Sequence, residues 1–105
     1  MAPILSIVLP AYNEEELIGK TLKDITLGLS RFEIGAEILV CEYGSSDKTF
    51  EISKKLARKN KLIRVFHQVK PSYGKALKLG IEKAATDKII IFNVFIWATH
   101  YFLPI

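Results

Sequence analysis

The alternation of apolar runs and amphipathic stretches predicts an α/β protein, a three-layer α/β/α sandwich around a mostly parallel sheet of about four strands. Short apolar runs recur along the 105 residues, and stretches with an apolar residue every three or four positions separate them. Of all residues 50% are hydrophobic and 25% are charged, which is typical of a folded domain and excludes a disordered chain. The length suffices for one compact domain and not for two.

The first strand and helix are predicted from the pattern of residues 4–29. Residues 4–9 form a nearly continuous apolar run that Pro10 ends, as in a strand buried on both faces. Asn13 is predicted to cap the first helix, with three glutamates at residues 14–16 in its first turn, where carboxylates complement the helix dipole. The buried face of this helix is predicted to consist of Ile18, Leu22, Ile25 and Leu29.

The remaining elements continue the alternation. Strands two, three and four are predicted at residues 37–41, 63–67 and 88–92. The run at 63–67 alternates most clearly between apolar and polar residues, which indicates a strand nearer an edge of the sheet. The second helix is predicted near residues 47–59. Pro71 and Ser72 open the third helix, whose apolar stripe is predicted to be Leu77, Ile81 and Ala84.

In a parallel sheet of this kind, the ligand crevice lies beyond the carboxyl ends of the strands. The segments that should converge there are residues 10–14, 42–47, 68–75 and 93 onward. Neither G-x-G-x-x-G after the first strand nor G-x-x-x-x-G-K-[ST] anywhere is present, so the dinucleotide fingerprint and the phosphate loop are both missing.

Charge is unevenly distributed along the chain. Residues 1–52 carry 4 basic and 9 acidic residues, a net charge of −5, whereas residues 53–105 carry 11 basic and 2 acidic residues, a net charge of +9. A basic half can attract phosphates, nucleic acid or an acidic membrane surface. Its lysines are spaced along a predicted helix and strand, and no aromatic residues alternate with them. This pattern favours a solvated face and no nucleic-acid partner.

Cysteine content and the start of the chain bear on the cellular compartment. The single cysteine, Cys41, excludes an intramolecular disulfide framework and is compatible with a reducing cytosol. The first residues contain no basic region of the kind that begins a secretory signal peptide. We therefore expect a cytoplasmic protein.

Three motifs stand in order at the predicted crevice. Residues 6–15 read S-I-V-L-P-A-Y-N-E-E, residues 38–49 read I-L-V-C-E-Y-G-S-S-D-K-T, and residues 74–81 read G-K-A-L-K-L-G-I. Together they resemble the nucleotide-sugar half of the inverting glycosyltransferase family 2, typified by dolichyl-phosphate mannose, cellulose and chitin synthases. Order and spacing agree from residue 6 to residue 92. The resemblance implies the Rossmann-like half of a glycosyltransferase type A fold.

The resemblance also implies that a UDP- or GDP-sugar binds at these motifs. The residues assigned to this ligand are Pro10, Ala11, Tyr12, Glu14, Glu42, Gly44 and Lys75. Tyr12 can pack on a flat ring, and Glu14 can accept from ring or ribose donors. Glu42 lies where the family has an aspartate that commonly contacts the base, and Tyr43 replaces the family's second aspartate with a stacking surface.

Structural interpretations of the same residues remain open. An acid-rich segment around Glu14 is typical of a helix start. Residues 44–47 have the composition of a turn that caps a helix. Lys75 either meets a diphosphate as a flexible point charge or is a solvated helix residue.

Two features of the family are missing. The resemblance implies an Asp-x-Asp after strand four that holds manganese or magnesium across the diphosphate, because hard cations prefer carboxylate oxygens. Asn93, Val94 and Phe95 stand in that register, so Asn93 replaces the expected carboxylate and no metal ligand is assigned. The acceptor-binding half and its general base have no counterpart, and His100 is an isolated imidazole, so no catalytic residue is assigned.

The chain is predicted to comprise an α/β domain at residues 1–95 and an apolar tail at residues 96–105. Residues 89–105 carry no Lys, Arg, Asp or Glu but fall short of the about 20 residues that span a bilayer. The tail can fold back, touch a membrane or pair with a second copy, and a homodimer through a sheet edge or the tail is favoured. We expect a truncated glycosyltransferase-like protein without autonomous activity. The alternative is a non-enzymatic interaction module that self-associates through its tail.

Overall fold

The computed structural model describes residues 2–94 as a four-stranded parallel sheet with helices on both faces. In chain order the elements are β1 Leu5–Ala11, α1 Ile18–Arg31, β2 Ala36–Tyr43, α2 Thr49–Lys59, β3 Ile63–Gln68, α3 Tyr73–Lys83 and β4 Ile89–Ile91. The strand order is β3-β2-β1-β4, and each neighbouring pair is parallel. The predicted fold class is confirmed, and so is the position of the third strand at an edge.

The sheet changes its winding direction at β1. The chain passes from β1 to β2 and β3 on one side, and α3 then carries it back across β2 and β1 to β4 on the other side. This crossing places α3 on one face, while α1 and α2 cover the opposite face. A ligand crevice is expected where strand order reverses, at the carboxyl ends of β1 and its neighbours.

The core consists of two apolar clusters, one on each face of the sheet, because side chains of a strand alternate between faces. In β1, Ile7 and Leu9 pack under α1 and α2, while Val8 packs under α3. In β2, Ile38 and Val40 lie on the face covered by α1 and α2. Leu39 and Cys41 lie on the face covered by α3. Strands buried on both faces explain the nearly continuous apolar runs of the sequence.

Helix α1 does not begin where the sequence suggests. The helix starts at Ile18 without a side-chain cap, and the glutamates at residues 14–16 precede it. A turn leads into it, in which the N–H groups of Leu17 and Ile18 donate to the Glu14 carbonyl at 3.0 and 2.8 Å. The predicted cap at Asn13 is therefore wrong, because the Asn13 side chain binds the loop after β2 instead.

Helix α3 begins as predicted, and its buried face matches the predicted stripe only in part. The Ser72 hydroxyl caps it by accepting from the Lys75 N–H at 3.4 Å. Its buried residues are Ala76 and Gly80, and Leu77 of the predicted stripe packs against the same cluster, whereas Ile81 is 47% exposed. Small residues allow the helix to lie close to the sheet, which an isoleucine at the same place would prevent.

Met1, Phe95 and the predicted tail at residues 96–105, including His100, lie outside the described residues. Within residues 2–94, none of the helices has the length and apolar character needed to cross a membrane.

Gly80 provides a test of the close packing between α3 and the sheet. A Cβ at this position would overlap Val8 Cγ1 and lie 3.0 Å from Cys41 Sγ. Gly80→Val should lower the free energy of unfolding by about 1–3 kcal/mol, because the overpacked face must move. Urea denaturation measures the change.

Gly28→Val is the matched control, because a Cβ at this α1 position meets no atom within 4 Å. We expect its stability to stay within about 0.5 kcal/mol of the parent chain. Equal losses at the two positions would contradict the proposed close approach of α3.

Candidate functional site

Three loops meet at the carboxyl ends of β1, β2 and β3. We call residues 12–17 loop A, residues 44–48 loop B and residues 69–72 loop C; each follows one of these strands. The sequence predicted this convergence from the parallel arrangement of the strands.

Asn13 joins loop A to loop B. Its backbone N–H donates to Ser45 Oγ at 3.0 Å. Its side-chain Oδ1 accepts from the Ser46 N–H at 2.9 Å and from the Ser46 hydroxyl at 3.3 Å. Asn13 adopts a left-handed conformation with φ of 51°, which asparagine tolerates better than most residues. The residue therefore serves as a clasp between loops.

Further hydrogen bonds in both directions complete this clasp. The Glu14 N–H donates to Thr49 Oγ1 at 2.8 Å, and the Glu15 N–H donates to Asp47 Oδ2 at 3.2 Å. In return, the Lys48 N–H donates to Glu15 Oε2 at 3.1 Å. Asp47 also accepts from the Thr49 N–H at 2.9 Å, next to the start of α2. Residues 44–47 thus form the predicted turn and also hold loop A.

Loop B packs tightly against loop C at Gly44. This glycine has a φ of 80°, and a Cβ on it would lie 2.5 Å from the Val69 carbonyl oxygen and 3.2 Å from the Pro71 nitrogen. Only glycine satisfies both the conformation and the space. Loop C is itself held by the Gln68 side-chain amide, which donates to the Ser72 carbonyl at 2.9 Å and the Lys70 carbonyl at 3.2 Å.

Three tyrosines from different segments form a tyrosine cluster beside the loops. The rings of Tyr12 and Tyr43 stack with centroids 5.1 Å apart and planes 16° from parallel. Tyr73 meets the Tyr43 ring edge-on at 6.0 Å, and its hydroxyl donates to Asn93 Oδ1 at 2.8 Å. Burial, with smaller contributions from Tyr73 and Glu14, raises the pKa of Tyr43. The Tyr43 phenol is therefore neutral at neutral pH.

A cavity of about 310 Å³ lies at loop A, next to Asp47 of loop B. Its lining residues are Asn13, Glu14, Glu15, Glu16, Leu17 and Asp47. Burial, and then the nearby Asp47 carboxylate, raises the pKa of Glu14. Burial opposes ionisation of Asp47 too, but hydrogen bonds from Thr49 hold its pKa below the usual value. Because this lining is acidic, it repels a diphosphate.

A larger cavity, of about 690 Å³, lies at the other end of the strands, away from loops A, B and C. Its lining includes Leu29, Ile34 and Leu62, near the amino ends of β2 and β3. It contains none of the residues assigned to a ligand, and size alone does not identify the site.

Glu42 points into the protein. Its side chain is fully buried, its Oε2 accepts from the Ser45 N–H, and its Oε1 bonds with His67 Nδ1. Both carboxylate oxygens are thus bound to groups of this chain. No sequence signal predicts the His67 partner, because pairing across strands depends on register.

The other assigned residues occupy different environments. Pro10 and Ala11 are buried and belong to β1, where they pair with Cys41 and Glu42, so the strand does not end before Pro10 as predicted. Tyr12 is exposed, and Glu14 is partly buried beside Thr49. Lys75 is exposed in the first turn of α3, close along the chain to Tyr73.

The described residues at the metal position implied by the sequence resemblance do not fit a divalent metal. Asn93, which that resemblance aligns with a family carboxylate, accepts from the Tyr73 hydroxyl through its Oδ1. No group of three or more His, Cys, Asp or Glu side chains that could hold a metal ion occurs in the described part of the chain. A neutral amide engaged with a phenol is a poor substitute for carboxylate ligands.

Residues 6–94 match the profile of Glycosyl transferase family 2. Glycosyltransferase AglD of Haloferax volcanii is 35% identical over 92 residues, 85% of this chain and 15% of the relative. A dolichyl-phosphate hexose transferase of the same organism is 36% identical over 87 residues, 83% of this chain and 33% of the relative. The chain thus spans a third or less of the length of these relatives.

Solved structures show the same fold. A mannosyltransferase from Pyrobaculum calidifontis, in complex with GDP-Man and Mn²⁺, superposes with a TM-score of 0.76 at 20% identity, over 90% of this chain and 28% of that one. Glucosyl-3-phosphoglycerate synthase from Mycobacterium tuberculosis, in complex with Mn²⁺, UDP and phosphoglyceric acid, gives 0.69 at 25% identity, over 88% and 33%. With the profile match covering most of its length, this chain belongs to Glycosyl transferase family 2.

Proposed function

We propose that this chain supplies the nucleotide-sugar-binding part of an inverting glycosyltransferase and takes a UDP- or GDP-sugar at loops A, B and C. The observation that carries the proposal is the interlocking of these loops beside the tyrosine cluster at the carboxyl ends of β1, β2 and β3. Open α/β sheets bind ligands at this edge. Support also comes from the solved relatives, which hold GDP-mannose or UDP.

The tyrosine cluster offers a place for the base. Tyr12 is exposed, and the parallel ring of Tyr43 supports it from within the protein. Stacking of a base on an aromatic side chain contributes about 1–3 kcal/mol to binding. Tyr43, which replaces a family aspartate, thus adds to an aromatic platform in place of a carboxylate.

Charge directs the diphosphate toward α3. The cavity at loop A is lined by carboxylates, which disfavour phosphate groups there. Lys75 is exposed in the first turn of α3, where its ammonium and the positive end of the helix dipole both favour an anion. To Glu14, which lines that cavity, we assign the ribose hydroxyls.

Glu42 contributes through loop B. Direct contact with the base would require its buried carboxylate to release Ser45 or His67. We assign it the role of holding the Ser45 N–H, and with it loop B, in place.

Inverting transfer requires a base that deprotonates the acceptor hydroxyl, which then attacks the anomeric carbon as the nucleoside diphosphate leaves. Within residues 2–94 we assign this role to no side chain, and the residue set at Asn93 does not suit a metal ion. We therefore propose that these residues bind the donor and do not carry out transfer by themselves. The comparisons lend no support to the alternative of a non-enzymatic interaction module.

The stacking role of Tyr12 is tested by titrating UDP and GDP into the intact chain in a calorimeter. Tyr12→Ala should weaken binding of the preferred nucleotide by about tenfold or more, because the base loses its platform. Phe32→Ala, at an exposed aromatic residue at the end of α1, is the control and should bind as the parent chain does. Equal affinities for parent and Tyr12→Ala would refute the base position.

A second expectation concerns metal dependence. Manganese should tighten nucleotide binding by less than about tenfold, because Asn93 supplies a single neutral oxygen that Tyr73 already occupies. The same titrations with and without Mn²⁺ measure this. A hundredfold tightening would mean that other carboxylates, such as Asp47 or Asp87, hold the ion, and the proposal of a metal-independent site would be withdrawn.

We also propose that a second copy of the chain covers the edge of the sheet at β4. Ile90 and Ile91, on opposite faces of this strand, are 49% and 43% exposed. No strand pairs with the outer side of β4 within residues 2–94. Sedimentation equilibrium of the intact chain at tens of micromolar, about the working range of ordinary homodimers, should show a dimer. A clean monomer would contradict the proposal.

A further inference from the structure

His67 stands at the carboxyl end of β3, opposite Glu42 in the register of the sheet. Its imidazole Nδ1 bonds with Glu42 Oε1, and the ring stacks on Phe50 of α2 with centroids 4.5 Å apart and planes 16° from parallel. Lys54 places its ammonium 4.5 Å from the centroid of the Phe50 ring. The imidazole is therefore held both by its ring face and by Nδ1.

The hydrogen-bond chemistry determines which atom carries the proton. An ionised carboxylate only accepts hydrogen bonds. Opposite an ionised Glu42, His67 Nδ1 carries the proton and donates to Oε1, while the Ser45 N–H donates to Oε2. The Glu42 side chain is 0% exposed, and a buried carboxylate is stable only when neighbouring groups satisfy its oxygens. His67 therefore provides half of what keeps this carboxylate in its position.

From Glu42 the connection continues to the loops. The Ser45 residue that donates its N–H to Glu42 also accepts, through Oγ, from the N–H of Asn13 in loop A. Asn13 follows Tyr12 directly in the chain, so the connection runs from β3 through β2 and loop B to the residue next to the exposed tyrosine. The first and last of these hydrogen bonds join residues 25 and 32 positions apart in the chain, while the Ser45–Glu42 bond is local.

We propose that His67 is a positioning residue of the nucleotide site, which acts through Glu42 to hold loops A and B in the arrangement that receives the ligand. The proposal rests on the nucleotide-binding function proposed above. His67 is not assigned a contact with the nucleotide itself. Removing its donor should free the Glu42 carboxylate to turn, release the Ser45 N–H and loosen the loops.

A second pair of side chains, Arg64 and Glu37, provides a control that distinguishes a loss of loop positioning from a loss of stability. At the opposite end of the same two strands, Arg64 of β3 bonds with the buried Glu37 of β2 at 2.9 Å. Glu37 also accepts from the Ser6 hydroxyl at 2.7 Å and the Ala85 N–H at 2.5 Å, none of which belongs to loop A, B or C. Replacing Arg64 thus removes a hydrogen-bond donor from the buried Glu37 and changes no contact of loop A, B or C.

The experiment compares His67→Leu, His67→Asn and Arg64→Leu in the intact chain. Calorimetry with UDP and GDP measures affinity, urea denaturation measures stability, and the ¹⁵N-edited NMR spectrum follows the Ser45 amide. His67→Leu should weaken nucleotide binding by about tenfold and shift the Ser45 amide resonance. His67→Asn, whose amide can donate from the Nδ position, should restore most of the affinity. Arg64→Leu should lower stability and leave both affinity and the Ser45 resonance unchanged.

The outcomes distinguish this proposal from the one on which it rests. A parent chain that binds neither nucleotide overturns the proposed function and this inference with it. A parent that binds while His67→Leu binds equally well overturns the positioning role alone, as does an Arg64→Leu variant that loses affinity to the same degree. If His67→Leu fails to fold, Phe50→Leu replaces it, because this change removes the ring stacked on His67. Phe50→Leu should also weaken nucleotide binding. Unchanged binding in that variant overturns the positioning role.

Discussion

The arrangement of the candidate site depends on the buried carboxylate of Glu42. A charged group without solvent requires hydrogen-bond donors in fixed positions, and here they come from Ser45 in loop B and His67 in β3. Because Ser45 also binds Asn13, the requirement of one carboxylate is transmitted to two loops. A residue that looks in the sequence like a ligand contact is, in the structure, the connection between the sheet and the loops.

The central strand β2 carries a buried glutamate near each end, and the two serve different purposes. Burial acts against ionisation of Glu37, but hydrogen bonds from Ala85 and Ser6 and the Arg64 guanidinium hold its pKa below the usual value. This pair fastens the amino end of the sheet, where no assigned site residue lies. Glu42 fastens the carboxyl end, and the same kind of bond there supports the loops of the proposed nucleotide site.

Departures from the family pattern make the surface beside loops A, B and C less acidic. Tyr43 and Asn93 stand where the family has carboxylates, and Tyr73 connects the two by meeting the Tyr43 ring and donating to Asn93. The result is a neutral aromatic and amide surface in place of an acidic one. Such a surface suits a base more than a divalent cation, in line with the proposed role in donor binding.

Periodicity and turn residues in the sequence by themselves determined the order of the elements and the position of β3 as an outer strand. They also determined that three loops meet at the carboxyl ends of the strands. These features depend on patterns within a few residues or on general rules of parallel sheets. Tertiary structure alone decided that Asn13 clasps loop B and does not cap α1, that Gly80 replaces Ile81 on the buried face of α3, and that Glu42 binds His67. Each of these outcomes depends on contact between residues far apart in the chain, whose distance and register no local pattern encodes.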